Sequence, residues 1–147
     1  MIIETTMDHL AEIVKIEQLV FNKPWTKLQL EQDIDTQLET KNYVYIFREK
    51  VVGYIFGWII QDEYHLNNIA VHAKHQQKNI GKSLIQHVIS GLIPKKVKVI
   101  LLEVSKKNKA ARNCYESLGF ILKGNRKDYY GLGDDAYLYN LEIGAND

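Results

Sequence analysis

The chain has 147 residues, 46% of them hydrophobic and 25% charged, with a formal net charge of +1. This is the length of one ordinary domain that buries a core without covalent staples, so residues 1–147 are expected to form a single domain. The composition excludes a disordered chain, and a net charge so close to zero argues against nucleic acid as a direct partner.

Ile2 to Thr5 reads as a short strand, and Asp8 as the N-cap of the helix that follows. In that helix Leu10, Ile13, Val14, Leu19, Val20 and Phe21 fall mostly on one side, and Pro24 ends it. A second helix is expected from about Thr26 to Leu38, with Leu28, Leu30 and Ile34 for burial. Tyr43 to Arg48 and Val51 to Ile60 are rich in aromatic and β-branched residues and form a hairpin about Glu49 and Lys50. Tyr64 to Val71 is a third long strand. Residues 79–91 have a helical period, with Leu84, Ile85, Val88, Ile89 and Leu92 on one face and Pro94 as the stop. Val97 to Val104 is apolar on both faces, which predicts a central strand covered on both sides. Asn108 to Leu118 is a short helix closed by Gly119, and Phe120 to Lys123 and Asp135 to Ile143 are the last strands. The order β-α-α-β-β-β-α-β-α-β-β describes an α/β domain with a mixed sheet. Its strands 64–71 and 97–104, joined through helix 79–91, should be parallel neighbours.

The segment Gln76-Gln77-Lys78-Asn79-Ile80-Gly81-Lys82-Ser83 enters the helix after the third long strand. Free amides and the positive dipole end favour a phosphate there. Gly81 lets a ligand approach the backbone, and Asn79 tolerates a left-handed conformation. Neither a P-loop nor a dinucleotide GxGxxG is present. Lysines cluster at Lys95, Lys96 and Lys98 and at Lys106, Lys107 and Lys109, either as a solvated face or as contacts to a phosphorylated ligand.

Glu103 stands at the carboxyl end of an apolar strand, where ligands of open α/β sheets gather, and suits a general base. The alternative is an ordinary strand-end glutamate that faces solvent or pairs with Lys106. Tyr115, on the following helix, is either a core tyrosine or a proton donor to a leaving thiolate. Cys114 beside it has no His–Asp arrangement and reads as a small buried thiol. His72 and His75 lack the further ligands that would complete a metal site, so no metal is expected. A single cysteine fits a reducing compartment. The polar N-terminus and a longest apolar run of ten residues, Val51 to Ile60, make neither a signal peptide nor a membrane helix. The expected protein is cytoplasmic and without a membrane partner.

Taken together, several segments resemble the GNAT superfamily of N-acetyltransferases over nearly the whole chain. They are Ile16-Glu17-Gln18 with Pro24-Trp25, Asn68-Ile69-Ala70-Val71 through Gly81, Leu102-Glu103-Val104 with Asn108, Tyr115-Glu116-Ser117-Leu118-Gly119-Phe120, and Arg126-Lys127-Asp128-Tyr129-Tyr130. Within the superfamily the chain is most similar to the bacterial branch that acetylates the N-terminal alanine of a ribosomal protein. The superfamily's loop is Q/R-x-x-G-x-G/A; Gln76 and Gly81 match, and Asn79 replaces the first glycine.

The resemblance implies a sheet whose central parallel strands splay apart to admit acetyl-CoA. Backbone groups of Ile69, Ala70 and Val71 would meet the pantetheine and acetyl carbonyl. Gln77, Lys78, Asn79, Ile80, Gly81, Lys82 and Ser83 would cradle the pyrophosphate, and Asn108 would touch the cosubstrate. Glu103 would be the general base and Tyr115 the general acid, in direct attack without an acyl-enzyme. Tyr129 and Tyr130 would border the acceptor site; Trp25 would border it or anchor the core. The implied acceptor is a protein N-terminus, that of a ribosomal protein, and the implied state a monomer or weak dimer. An α-amine, with a pKa of about 7.7–8.0 against about 10.4 for lysine, costs roughly 3 kcal/mol less to neutralise. Two alternatives remain open here: a lysine or small-amine acetyltransferase, and a CoA-binding subunit without turnover.

Overall fold

The computed structural model describes residues 1–144. The elements run β1 (Ile2–Glu4), α1 (Leu10–Val20), α2 (Lys27–Ile34), β2 (Glu39–Thr40), β3 (Tyr43–Phe47), β4 (Lys50–Ile60), β5 (Glu63–Val71), α3 (Ile80–Leu92), β6 (Val99–Ser105), α4 (Lys109–Ser117), β7 (Ile121–Arg126) and β8 (Ala136–Glu142). The expected order holds, with the two-residue β2 as an addition.

One sheet, ordered β1-β3-β4-β5-β6-β8-β7, carries the fold, and β2 pairs with β4 beside it. The β5–β6 pair is parallel and all others are antiparallel. Arg48 and Glu49 both have positive φ, which closes the β3–β4 hairpin with a turn whose twist matches its strands. The expected parallel neighbours are therefore present, joined by α3.

Each face of the sheet has its own core. On one, Leu84, Ile85, Val88 and Leu92 of α3 and Tyr115 of α4 pack with Tyr64, Leu66, Ile100, Leu102 and Tyr139. On the other, Leu10, Ile13 and Ile16 of α1 and Leu30 of α2 pack with Val44, Tyr54, Phe56 and Ala70. The second pair of helices covers only β3 to β5. Along β6, Ile100, Leu102 and Val104 are buried, while between them Leu101 is half-buried and Glu103 exposed. The expectation of a strand covered on both sides is thus corrected: β6 is central in the order but covered on one face.

Three smaller expectations also change. Thr6, not Asp8, starts the first helical turn, a 3₁₀ segment Met7–His9 that runs into α1, and the His9 Nδ1 accepts the Thr6 N–H at 3.0 Å. Leu19 is 67% exposed and Ile16 takes its place in the core, because residues 10, 13 and 16–17 make the buried stripe at 3.6 residues per turn. The second helix stops at Ile34 rather than Leu38, as Asp35 turns out of helical space and the chain then extends into β2; Leu28 is 61% exposed.

Candidate active site

The site begins with a parting of strands. β5 and β6 pair only at Glu63–Val99, Tyr64–Ile100 and His65–Leu101. Beyond that point β5 stays with β4 to Val71, and β6 stays with β8 to Ser105. The register of β4 and β5 slips between Phe56 and Gly57, so that Phe56 faces Asn68, Gly57 faces Leu66, and Asn67 is an extra, bulged residue. A bulge bends its strand, and this one lies where β5 leaves β6. The gap opens into a cleft of about 1210 Å³.

The strand edge offers donors to that gap. His72 N–H bonds to Val52 O on β4 at 2.8 Å. Alternation along a strand then turns the amides of Val71 and Ile69 toward the gap and that of Ala70 toward β4. Val71 O accepts from Gln76 Nε2 at 3.0 Å, which ties the following loop back to the strand.

The start of α3 is open in a way that the starts of α2 and α4 are not. Thr26 accepts from Gln29 N–H and Asn108 accepts from Ala111 N–H, so those helices are capped by their own side chains. Asn79 adopts the left-handed conformation, φ 62, and makes no side-chain cap. This satisfies the expectation that Asn79 stands where the backbone is left-handed, and Gln77, φ 64, shares that conformation. The first amides of α3 are left for a ligand. Gly81 is helical, and a Cβ there would touch only Val71 Cγ2, at 3.9 Å. The chain itself has room for a side chain at 81; the space left by its absence belongs to the cleft. Gln77, Asn79, Ile80, Gly81 and Lys82 line the cleft, whereas Lys78 and Ser83 do not; Ser83 Oγ instead donates to Asn79 O at 2.9 Å. The loop is also cationic: His75 is held below its usual pKa by partial loss of water and by Lys78, His72 and Lys74.

Glu103 and Tyr115 both line the same cleft. Glu103, its side chain 30% exposed, projects from the open face of β6 and pairs with Arg126 Nη2 at 3.4 Å, while Lys106 pairs with Asp135 at 3.7 Å. Glu103 therefore pairs with Arg126, and not with Lys106 as one alternative reading had it. Tyr115 reaches the cleft from α4, packed against Phe120 and Tyr139 at ring distances of 5.7 and 6.3 Å. Burial first, then the neighbouring Cys114 and Tyr130, raises its pKa far above the usual phenol value. Tyr130 also lines the cleft, and its pKa is pushed up to about 12 by burial first and then by the charge of Glu103. Burial also pushes the Cys114 thiol up, against a small opposing effect of Lys82, which makes it a poor thiolate. Asn108 lines the cleft, as does Lys107 from the second lysine cluster. Lys95, from the first cluster, pairs with Glu39 at 2.9 Å.

The far end of the cleft rests on a buried carboxylate whose role the sequence did not announce. Glu17, 1% exposed, accepts from Asn68 Nδ2 at 2.7 Å and Trp25 N–H at 2.8 Å and is hydrogen-bonded to the Tyr54 hydroxyl. One side chain thus joins α1, β4, β5 and the α1–α2 turn. Trp25 packs against the α1 core and also lines the cleft. Across the mouth, Lys23 Nζ donates to Tyr130 O at 3.3 Å. A buried glutamate within an apolar helical stripe was the available signal for Glu17; its partners come from three other elements.

Among the described residues no cluster of three His, Cys, Asp or Glu is placed to hold a metal, and no helix is long and apolar enough to cross a membrane.

The sequence model of the Acetyltransferase (GNAT) family matches residues 10–120. The [ribosomal protein bS18]-alanine N-acetyltransferase of Escherichia coli (strain K12) is 34% identical over 149 residues, covering 96% of this chain and 95% of that protein. The crystal structure of the ribosomal-protein-S18-alanine N-acetyltransferase from Escherichia coli superposes with a TM-score of 0.93 at 28% identity, over 100% of this chain and 96% of that one. Arabidopsis thaliana NAA60 in complex with acetyl-CoA shares the fold, with a TM-score of 0.86 at 14% identity over 99% of each chain.

Proposed function

This chain belongs to the GNAT acetyltransferase family, and from that premise we propose that it transfers the acetyl group of acetyl-CoA to the N-terminal α-amine of ribosomal protein bS18, an alanine amine, in the cytoplasm. The observation that carries the reading is the parted β5–β6 pair, with Glu103 and Tyr115 on one cleft and the uncapped start of α3 at its other end. The E. coli relative of that name supports the choice of acceptor.

In this reading each residue of the cleft has a role. The α3 amides and Lys82 hold the diphosphate, with Gly81 leaving the approach clear. Acetyl-CoA supplies a thioester whose sulfur leaves as a thiolate. Glu103 takes the proton from the acceptor ammonium, and the free amine forms the new C–N bond at the carbonyl carbon. Val71 N–H steadies the oxygen on which charge builds. As the C–S bond breaks, Tyr115 gives its proton to sulfur, and the proton that the nitrogen sheds on becoming an amide restores the phenol. Burial keeps that hydroxyl protonated, and the same dry surroundings raise the proton affinity of the thiolate that receives it. Cys114, protonated and half-buried, takes no part, so transfer is direct.

Thiol release from acetyl-CoA, followed with a peptide starting in alanine and with an N-terminally blocked lysine peptide, tests the reading. Release is expected with the free N-terminus. Equal release with the blocked peptide would overturn the α-amine assignment.

A further inference from the structure

Two adjacent asparagines on β5 have opposite fates. The Asn68 amide is buried and donates to Glu17. The Asn67 Nδ2 is buried with no hydrogen-bond partner, a state shared among the described residues only by Thr5 Oγ1. A buried amide donor without a partner is rare, and an apolar residue of the same size would be less costly to the fold. The family resemblance rests on Asn68 to Val71 and assigns nothing to Asn67.

Its position tells what it can meet. Asn67 is the bulged residue, with no partner position on β4. The last β5–β6 pair is His65–Leu101. Two residues further along each strand stand Asn67 on one lip of the gap and Glu103 on the other, and both line the cleft. Asn67 as a whole is half-buried. Turning the amide about its Cβ–Cγ bond breaks no hydrogen bond of Nδ2, since none is made where it lies.

We propose that Asn67 is a substrate-binding residue that donates its side-chain N–H to the first main-chain carbonyl oxygen of the acceptor, and thereby selects α-amines over side-chain amines. This rests on the reading above, in which the amine is presented to Glu103. An α-amine carries a carbonyl oxygen on the next carbon of its own residue, so an amine at Glu103 sets that oxygen across the gap at Asn67. A lysine amine is preceded by a methylene stem with no acceptor atom and leaves the donor unpaired. Sites built to bond a polar substrate group discriminate well against analogues lacking it.

The test compares wild-type enzyme with Asn67→Leu on three acceptors: an alanine-starting peptide, an N-terminally blocked lysine peptide, and n-propylamine. Asn67→Leu is expected to lower kcat/KM on the alanine peptide roughly tenfold, one lost hydrogen bond, mainly through KM. Rates on the other two should stay within about twofold. The thermal midpoint should not fall, because an unpartnered donor has been removed. Asn67→Ala should show the same pattern, should leucine at the bulge disturb the strand. An unchanged preference for the alanine peptide, or equal losses on all three acceptors, would overturn the assignment. Failure of the acceptor reading would show differently, as wild-type enzyme that does not favour the alanine peptide.

Discussion

The two halves of the β5–β6 pair have the same backbone chemistry and opposite uses. In the first half, Glu63–His65 against Val99–Leu101, the ladder is closed and Tyr64 and Ile100 are buried. In the second half the strands part, and the groups that line them are a partnerless asparagine, a part-exposed glutamate and strand amides turned to a cleft. A fold can leave such groups without partners only where neighbouring elements hold the strands, and here β4 and β8 do so. The closed half should therefore govern stability and the open half activity.

The sharpest way to break that division is Glu103→Gln. Loss of the base should lower kcat by about 10²–10⁴-fold, with little change in the urea midpoint, because the carboxylate is part-exposed. A fall in stability matching the fall in rate would assign Glu103 to the scaffold. Tyr115→Phe should reduce kcat by roughly 10²-fold, the lower end for a positioned proton donor. Its ring packing survives the change, so circular dichroism on heating should show a near-native transition.

Two glycines sharpen the contrast. In the closed half, a Cβ on Gly57 would overlap the buried ring of Tyr64 and lie 2.7 Å from His65 O. Gly57→Ala should cost about 1–3 kcal/mol of stability, while kcat/KM per folded molecule stays near wild type. In the open half, Gly81→Ala meets no atom of the chain closer than 3.9 Å. It should add about 0.5–1 kcal/mol of stability through helix propensity and raise the KM for acetyl-CoA. An unchanged KM would remove Gly81 from the diphosphate site. The smallest effect is expected for Arg126→Gln. The exposed ion pair to Glu103 is worth about 0.2–1 kcal/mol, so kcat should move only a few-fold.

Much of this was legible before any coordinates. The β-α-β run from 64 to 104 is written in residue periodicity, and Asn79 and Gly119 stand where the backbone takes left-handed conformations, φ 62 and 99. Glu103 and Tyr115 are candidates by their places on a strand end and a helix, the resemblance supplies their roles, and both line the cleft. Other features were not legible because they depend on partners far along the chain. Leu19 and Leu28 are as apolar as the residues that replace them in the core, and only the position of the sheet decides which side of each helix is covered. The open face of β6 depends on α1 and α2 stopping short at β5, which no local pattern records.

By itself the sequence determined the elements, their order and the parallel pairing across α3, since each of these follows from local periodicity, caps or the short reach of a crossover; Glu103 and Tyr115 take their proposed roles from the resemblance. Tertiary structure alone decided that β5 bulges at Asn67, that Glu17 ties four elements beneath the cleft, that Arg126 rather than Lys106 meets Glu103, and that one asparagine of two is left without a partner. These are contacts between residues as much as 51 positions apart, and their geometry is set by how the sheet twists and parts rather than by any segment's own preference.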